Sequence, residues 1–240
     1  MDSAVVFQEE AVPQEAGKMT NAKKLFTKAN LEQLHQRITD LEKRTDAEVV
    51  CAVATESDRY DRAECICGLL LGLLALITGS KIAATGTWDA TGTIPVGMQV
   101  ALMVGGFIGG TVLASYWHPL RRLFVSDRHR ELAVHRCVHY VFSREGIGSK
   151  RNRGGLLIYL SLFEHRLEIH CDEAVAGRIP AEKLEALRDA VLNRVAKGEF
   201  TEGLLDGLDL AEKLLTEALP SSGDTAGELP NELLLFHPRP

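Results

Sequence analysis

Two long stretches without a charged residue constrain this chain more than any other feature. The first runs from Cys65 to Ser80, and the second from Ala90 to Leu120, of which residues 94–117 are largely apolar. A helix needs about 20 apolar residues to cross the hydrocarbon core of a bilayer. The second stretch has this length, and the first reaches it if Lys81 extends toward the membrane surface. The sequence therefore predicts a transmembrane helical hairpin, assigned to residues 63–120.

The alternative is a pair of buried core helices in a soluble protein, and three details favour the membrane. Trp88, Tyr116 and Trp117 lie at segment ends, where aromatic residues mark the membrane interface. The linker over residues 81–93 is short enough to force an antiparallel pair of helices. Glycines four residues apart allow two helix backbones to approach closely. Three such pairs are present: Gly68 and Gly72, Gly105 and Gly109, and Gly106 and Gly110.

The positive charges around the hairpin predict its orientation. An even number of crossings leaves both flanks on the same side of the membrane. Lys81 is the only positively charged residue of the linker. The flanks contain six arginines: Arg59, Arg62, Arg121, Arg122, Arg128 and Arg130. Because positive residues favour the cytoplasmic side, we expect both termini and the globular part in the cytoplasm. No cleavable signal peptide is expected, and the first apolar helix would act as the membrane signal.

Composition narrows the class of the remaining chain. The formal net charge of −6 argues against a nucleic-acid-binding protein. The five cysteines lack the spacing of a disulfide framework, and we predict Cys51, Cys137 and Cys171 to be small buried residues in a reducing compartment. Residues 1–24 have no apolar period and are predicted to be disordered. The tail over residues 220–240 ends in an apolar segment that would dock on the domain or on a partner.

Apolar periodicity predicts four helices and three strands in the two parts of the globular domain, residues 25–62 and 121–219. The helices are expected at Thr27 to Arg44, Asp127 to Ser143, Ala181 to Lys197 and Phe200 to Leu219. Uninterrupted apolar runs predict buried strands at residues 49–54 and 156–162. The next strand, residues 166–171, alternates and forms a hairpin with the strand before it. Its core-facing residues are expected to be Leu167, Ile169 and Cys171.

Asp172 and Glu173 are adjacent carboxylates just past the end of the last predicted strand. Ligand sites often open at strand ends, so this pair is a candidate for holding a metal cation. Glu48, at the start of the first strand, would join Asp172 across the sheet. The competing interpretation is a solvated acidic turn that caps the next helix.

A basic loop containing Lys150, Arg151 and Arg153 is a second candidate site. These residues would bind a phosphate or an anionic lipid headgroup if the domain lies near a membrane face. The alternative is a charged loop that merely follows the positive-inside bias.

Two further groups of polar residues offer weaker signals. His135 and His139 are four apart on a predicted helix and would be able to share a metal, but no third ligand is apparent nearby in sequence. An ordinary helix surface is the competing interpretation. Ser143 and Ser161 have no histidine and aspartate that the sequence nominates as triad partners.

The soluble part resembles the TPM-domain family, which includes thylakoid-lumen and photosystem-repair proteins and many bacterial membrane proteins. The resemblance covers residues 31–44, 48–54 and 127–219. The segments that carry it are Asp46-Ala47-Glu48-Val49-Val50, Gly146-Ile147-Gly148, Gly155-Leu156-Leu157-Ile158, Arg166 to Cys171, and Gly198-Glu199-Phe200 with Gly203-Leu204. The resemblance implies a compact α/β sandwich, with a small central mixed sheet flanked by helices. It also implies that the transmembrane hairpin interrupts this domain.

Some members of the family are described as acid phosphatases or as proteins that bind Ca²⁺ or Mg²⁺ through aspartates. Here the acidic residue expected before the Gly155 strand is replaced by Arg153, which cannot ligate a hard cation. No catalytic residue is therefore carried over from the family.

These observations lead to one functional hypothesis and two rivals. The first is a bacterial inner-membrane protein whose cytoplasmic TPM-like domain binds a protein partner or helps to assemble a membrane complex. The second is a phosphatase or other hydrolase that depends on Ca²⁺, Mg²⁺ or another divalent metal held by Asp172, Glu173 and Glu48. The third is a sensor of anionic lipid that uses the basic loop.

Overall fold

The structure is a computed structural model that describes residues 21–85, 93–117, 123–148, 154–222 and 231–240. The described residues form two compact units. One unit combines the residues up to Asp58 with those from Arg130 onward, and the other comprises Arg59 to His129. Residues from both sides of the apolar hairpin in the sequence therefore belong to one unit.

In the described part of the first unit, four strands form a mixed sheet. The strands are β1 (Glu48–Ala54), β2 (Gly155–Ser161), β3 (Arg166–Cys171) and β4 (Leu234–Phe236), in the order β3-β2-β1-β4. Strand β1 runs parallel to β2 and β4, and β2 runs antiparallel to β3. The three predicted strands, their hairpin and the mixed α/β class are confirmed. Strand β4 shows that the apolar tail docks on this domain.

Three long helices of the described part of the chain cover one face of the sheet. They are α2 (Lys28–Glu42), α7 (Ala181–Val195) and α8 (Phe200–Ala218). The sheet contributes every second residue of its central strands to this core, among them Val49, Cys51, Val53, Leu156, Ile158 and Leu160. The helices contribute residues at helical spacing, among them Leu34, Ile38, Leu41, Leu187, Val191, Leu204 and Leu208. Because β1 and β2 are buried on both faces, their sequences are apolar throughout most of their length.

A single described helix, α5 (Asp127–Arg144), packs on the opposite face. Its buried stripe of Val134, Val138 and Val141 contacts the alternate residues of the sheet, including Val50 and Leu157. The predicted helix is thus confirmed, and its three buried valines recur in the sequence at helical spacing. This face is covered more thinly than the other, which leaves polar positions of β3 beside the helix.

Two short helices complete the described part of this unit, α1 (Ala22–Leu25) and α6 (Glu173–Ala176). The residues predicted to be disordered lie mostly outside the described part, but residues 22–24 are helical, and Ala22 is buried. Helix α2 begins where the sequence indicates, because the Thr27 hydroxyl accepts a hydrogen bond from the Asn30 amide at 3.2 Å.

The second unit contains the two apolar helices, α3 (Asp61–Ala84) and α4 (Val96–Tyr116). Both are long and apolar enough to cross a membrane by length and composition. The linker tryptophan Trp88 lies outside the described residues, and Tyr116 and Trp117 are exposed at the end of α4.

Glycines form the contact between α3 and α4. A Cβ atom on Gly106 would lie 2.7 Å from the Cα of Gly72, and one on Gly110 would lie 2.8 Å from the Cα of Gly68. Gly105 and Gly109 have the same spacing, yet a Cβ atom on either would meet nothing within 4 Å. Two of the three glycine pairs therefore build the helix contact, and the third faces outward.

Candidate functional site

Glu48, Gly155 and Asp172 form one row across the ends of three neighbouring strands. Glu48 pairs with Gly155 in the parallel ladder. The Asp172 amide donates a hydrogen bond to the Gly155 carbonyl oxygen at 3.1 Å. The register therefore places Glu48 and Asp172 on either side of Gly155, at the same end of the sheet. Glu48 is buried, and Asp172 is partly exposed.

The turn that follows α5 closes over this row. Gly148 has a φ of 72°, which favours glycine. A Cβ atom on Gly148 would lie 2.9 Å from Oδ2 of Asp172, and one on Gly155 would lie 2.6 Å from the Gly148 nitrogen. Both glycines are thus needed for the close approach of the turn to the sheet.

The Asp172 carboxylate of this row has a structural partner. Oδ1 of Asp172 accepts a hydrogen bond from the Val175 amide at 3.0 Å, which makes Asp172 the N-cap of α6. Glu173 is exposed in the first turn of that helix. The alternative of a capping acidic turn thus describes what Asp172 does in this structure.

A hard cation such as Ca²⁺ takes six to eight oxygen ligands. Among the described residues, no three His, Cys, Asp or Glu side chains are placed to hold a metal together. Metal binding by Asp172, Glu173 and Glu48 therefore stays a prediction. The basic residues Lys150, Arg151 and Arg153 lie outside the described part of the chain, and anion binding by them also stays a prediction.

A buried polar network lies past the other end of β1 and β2. Glu164, fully buried, accepts hydrogen bonds from the Ser57 amide, at 2.8 Å, and from the Ser161 hydroxyl. The Ser57 hydroxyl lies 2.7 Å from the Ser161 hydroxyl and 3.1 Å from that of Tyr159. Burial raises the pKa of Tyr159, so the phenol stays neutral. Ser161 thus has serine and glutamate partners, which hold the turn together.

A cluster of histidines joins α5 to β3. Nδ1 of His135 hydrogen-bonds to Oε1 of Glu168 at 2.8 Å, and Nε2 of His135 lies 3.0 Å from Nε2 of His139. The His170 ring packs edge-on between His139 and Phe142, with centroid distances of 4.5 and 4.6 Å. Burial raises the pKa of Glu168, and the hydrogen bond from His135 acts against this.

The contact of Glu168 and His170 with the two helix histidines was not predicted from the sequence. The signal was nevertheless present, because the alternation that turns Leu167 and Ile169 to one face turns Glu168 and His170 to the other. Helix α5 covers that other face, so its polar side meets them.

The cysteines follow the predicted pattern in part. Cys51 is fully buried in β1, which raises the pKa of its thiol to about 12. Cys137 and Cys171 are only partly buried, and the Cys137 thiol donates a hydrogen bond to the Ser57 carbonyl oxygen at 3.0 Å. Burial raises the pKa of Cys171 to about 11. All five cysteines are free thiols.

Comparison with known proteins identifies a structure with a similar fold and a matching family model. The comparison with curated proteins gave no match. The solved structure of the BA42 protein from the psychrophilic bacterium Bizionia argentinensis is similar with a TM-score of 0.51 and 16% sequence identity, over 87% of this chain and 94% of that one. At this identity the likeness shows the fold alone. Residues 125–214 match the family model of the TPM domain. This match confirms the resemblance to the TPM-domain family over residues 125–214.

Proposed function

We propose that α3 and α4 anchor this chain in a bacterial inner membrane and that its TPM domain acts on the cytoplasmic side in the binding or assembly of a membrane complex. The observation that carries the anchoring is the exposure of large apolar side chains along both helices. They include Leu69, Leu70, Leu73, Leu74 and Ile77 on α3, and Val100, Val104, Ile108 and Val112 on α4. A patch of this length is unfavourable in water and favourable in lipid.

The glycine contact between the two helices supports the same proposal. In a bilayer, helices gain little from burying leucine, since the lipid is equally apolar, and they associate where small residues let the backbones touch. Gly68 and Gly72 meet Gly106 and Gly110 in this way. The orientation rests on the six arginines that flank the hairpin, against Lys81 in the linker.

The side chains on the outer side of α5 favour a role in binding a protein partner. Leu132 and Tyr140 lie two turns apart and are about half exposed. Arg136 lies between them and pairs with Asp58 at 2.8 Å. Tyrosine and arginine are enriched among the residues that carry binding energy in protein interfaces. This side of α5 is the surface through which we expect the domain to bind.

Anchoring is tested by placing charges on the exposed apolar faces. A lysine at the centre of a membrane helix costs about 2.5–3.5 kcal/mol on insertion scales. We expect the double variant Leu74→Lys, Ile108→Lys to be lost from carbonate-washed membranes. The matched control is Leu132→Lys, which changes a similarly exposed leucine outside the hairpin and is expected to stay in the membrane fraction. Full membrane retention of the double variant would contradict the proposal.

Partner binding is tested by photo-crosslinking in intact cells. A photoreactive residue in place of Tyr140 is expected to capture a reproducible membrane-protein partner. The same residue in place of Ala186, which is exposed on α7, serves as the control and is expected to capture none. No specific product from the Tyr140 position would argue against the binding role.

A divalent-metal-dependent phosphatase is the second candidate. The observation that favours it is the row of Glu48, Gly155 and Asp172 beneath the Gly148 turn, which brings two carboxylates to one sheet end. Phosphate-ester hydrolysis would be measured with Ca²⁺, Mg²⁺ and Mn²⁺ on detergent-purified protein. The variant Asp172→Asn keeps a good N-cap for α6 but removes the charge. Metal-dependent turnover that disappears in this variant would favour the enzyme, and absence of turnover with all three metals would favour the binding role.

A further inference from the structure

The histidine cluster on α5 and β3 has the geometry of a metal site that is separate from the carboxylate row. His135 and His139 occupy successive turns of the same side of α5, so their rings converge. Their Nε2 atoms are 3.0 Å apart. Two nitrogens bound to one ion at about 2.0–2.1 Å are roughly 2.9–3.4 Å apart for angles from about 90° to tetrahedral. The separation therefore suits a shared ion without movement of the helix.

Glu168 sets the orientation of the first ring. Its carboxylate lies 2.8 Å from Nδ1 of His135, so Nδ1 donates to Glu168 and carries the proton of the neutral imidazole. Nε2 of His135 then accepts a hydrogen bond from Nε2 of His139, and an ion bound by both nitrogens would replace that proton, which would move to Nδ1 of His139. A carboxylate behind a histidine is the usual support of a histidine that ligates a metal.

The second ring is held by packing. The T-shaped contact between His135 and His139 has a centroid distance of 4.3 Å, and His170 contacts His139 at 4.5 Å from the side of β3. These contacts limit rotation of the His139 ring, so less side-chain entropy is lost when an ion binds.

We propose that His135 and His139 bind a divalent transition-metal ion of the zinc type, with Glu168 as the positioning residue of His135. Imidazole suits Zn²⁺, Ni²⁺ and Cu²⁺, whereas Ca²⁺ and Mg²⁺ prefer oxygen. In the described residues no third His, Cys, Asp or Glu is in place to complete the set, so water fills the remaining positions. Such a site is open and exchanges its ion readily. It is independent of both functions proposed above.

The test is zinc titration of the full-length chain in detergent, purified with a tag that contains no histidine. Calorimetry is expected to show one Zn²⁺ per chain, and Co²⁺ is expected to give visible absorption bands typical of nitrogen ligation. His135→Gln and His139→Gln are each expected to weaken binding at least about tenfold, because each removes one of two ligands. Glu168→Gln is expected to weaken it about 10- to 100-fold, as the loss of other supporting carboxylates does. Glu168→Asp keeps the carboxylate and is expected to recover part of the affinity.

His35→Gln is the matched control. His35 lies on α2, with Nδ1 2.8 Å from the Asn231 carbonyl oxygen, away from the cluster, and its loss is expected to leave zinc affinity unchanged. Circular dichroism confirms that each variant is folded. Wild-type protein with no zinc binding tighter than about 100 μM would overturn the proposal. Unchanged affinity in the double variant His135→Gln, His139→Gln would also overturn it.

Discussion

The globular domain and the α3–α4 hairpin arrange their apolar residues in opposite ways. In the domain, large side chains such as Leu34, Ile158 and Leu208 are fully buried between the sheet and its helices. In the hairpin, glycines make the contact, and leucines such as Leu74 point outward. The two regions use the same kinds of apolar residue, and we attribute the difference to the membrane surroundings proposed for the hairpin.

Water and lipid favour different kinds of contact between apolar segments. Water drives large apolar side chains together, and this drive forms the core of the domain. On the proposed anchoring, lipid gives no such drive, and the hairpin would rely on close backbone contact at Gly72 and Gly106. A variant that removes a large side chain should therefore harm the domain, and a variant that adds one at a glycine should harm the hairpin.

The largest expected effect comes from a cavity in the domain core. Leu208 of α8 is fully buried, and Leu208→Ala is expected to reduce the free energy of unfolding of the domain by about 2–5 kcal/mol. Hydrogen exchange of peptides from β2 and α8 would measure the loss. Leu74→Ala removes the same atoms from an exposed side chain of α3 and is expected to leave exchange in the domain unchanged. Equal effects of the two variants would contradict the comparison.

The second prediction adds a large side chain at the glycine contact of the hairpin. Gly106→Leu would push against the Gly72 backbone and is expected to destabilise the helix pair by up to about 3 kcal/mol. Gly105→Leu, one residue away, enters open space and is expected to be tolerated. The distance between spin labels on α3 and α4 would report the separation. An equal response of the two variants would mean that the helices do not meet at Gly106.

The third prediction concerns the polar network around Glu164. Polar groups buried in the domain must be paired, so loss of a partner is expected to destabilise it. Glu164→Ala leaves the Ser57 amide without its acceptor and is expected to cost on the order of 2 kcal/mol of domain stability. Glu164→Gln keeps an oxygen for that amide and is expected to cost less. Urea unfolding of both variants would measure the difference, and a larger loss for the glutamine variant would contradict this account.

The smallest effect is expected at the domain surface. Burial acts to raise the pKa of Glu212, but hydrogen bonds and charge from Arg37 and Arg44 outweigh it and hold the pKa below its usual value. These ion pairs therefore stabilise the fold above the ordinary carboxyl pKa of about 4.3, and this contribution is lost as the pH falls through the lowered pKa. Glu212→Gln is expected to cost less than about 1 kcal/mol at pH 7. Urea unfolding at pH 7 and pH 3 should show this difference shrinking, and a constant difference would refute the assignment.

The regular elements of the domain were predictable because their signals are local. The uninterrupted apolar runs of β1 and β2, the Thr27 cap and the valine stripe of α5 each depend on neighbouring residues alone. Strand β4 is only three residues long, and its pairing depends on the edge that β1 offers, so the sequence indicated an apolar segment without its place.

The sites were harder to predict because they depend on how elements meet. Gly105 and Gly106 each have a glycine four residues further on, and only the rotation of α4 decides which pair faces α3. Likewise, His135 meets Glu168 from a strand 33 residues later in the chain, once α5 is placed on that face of the sheet. Asp172 lies at a strand end and caps α6, which is one of the two interpretations that the sequence left open.

The position of β1 in the chain has a consequence for biogenesis. About 100 residues separate β1 from its neighbour β2, and β4 follows later still. At a synthesis rate of roughly 5–20 residues per second, β1 leaves the ribosome about 5–20 s before either neighbour exists. On the proposed anchoring, the hairpin reaches the membrane during this interval. The sheet then assembles around β1, the strand that is synthesised first, so the domain completes its folding only after the hairpin has inserted into the membrane.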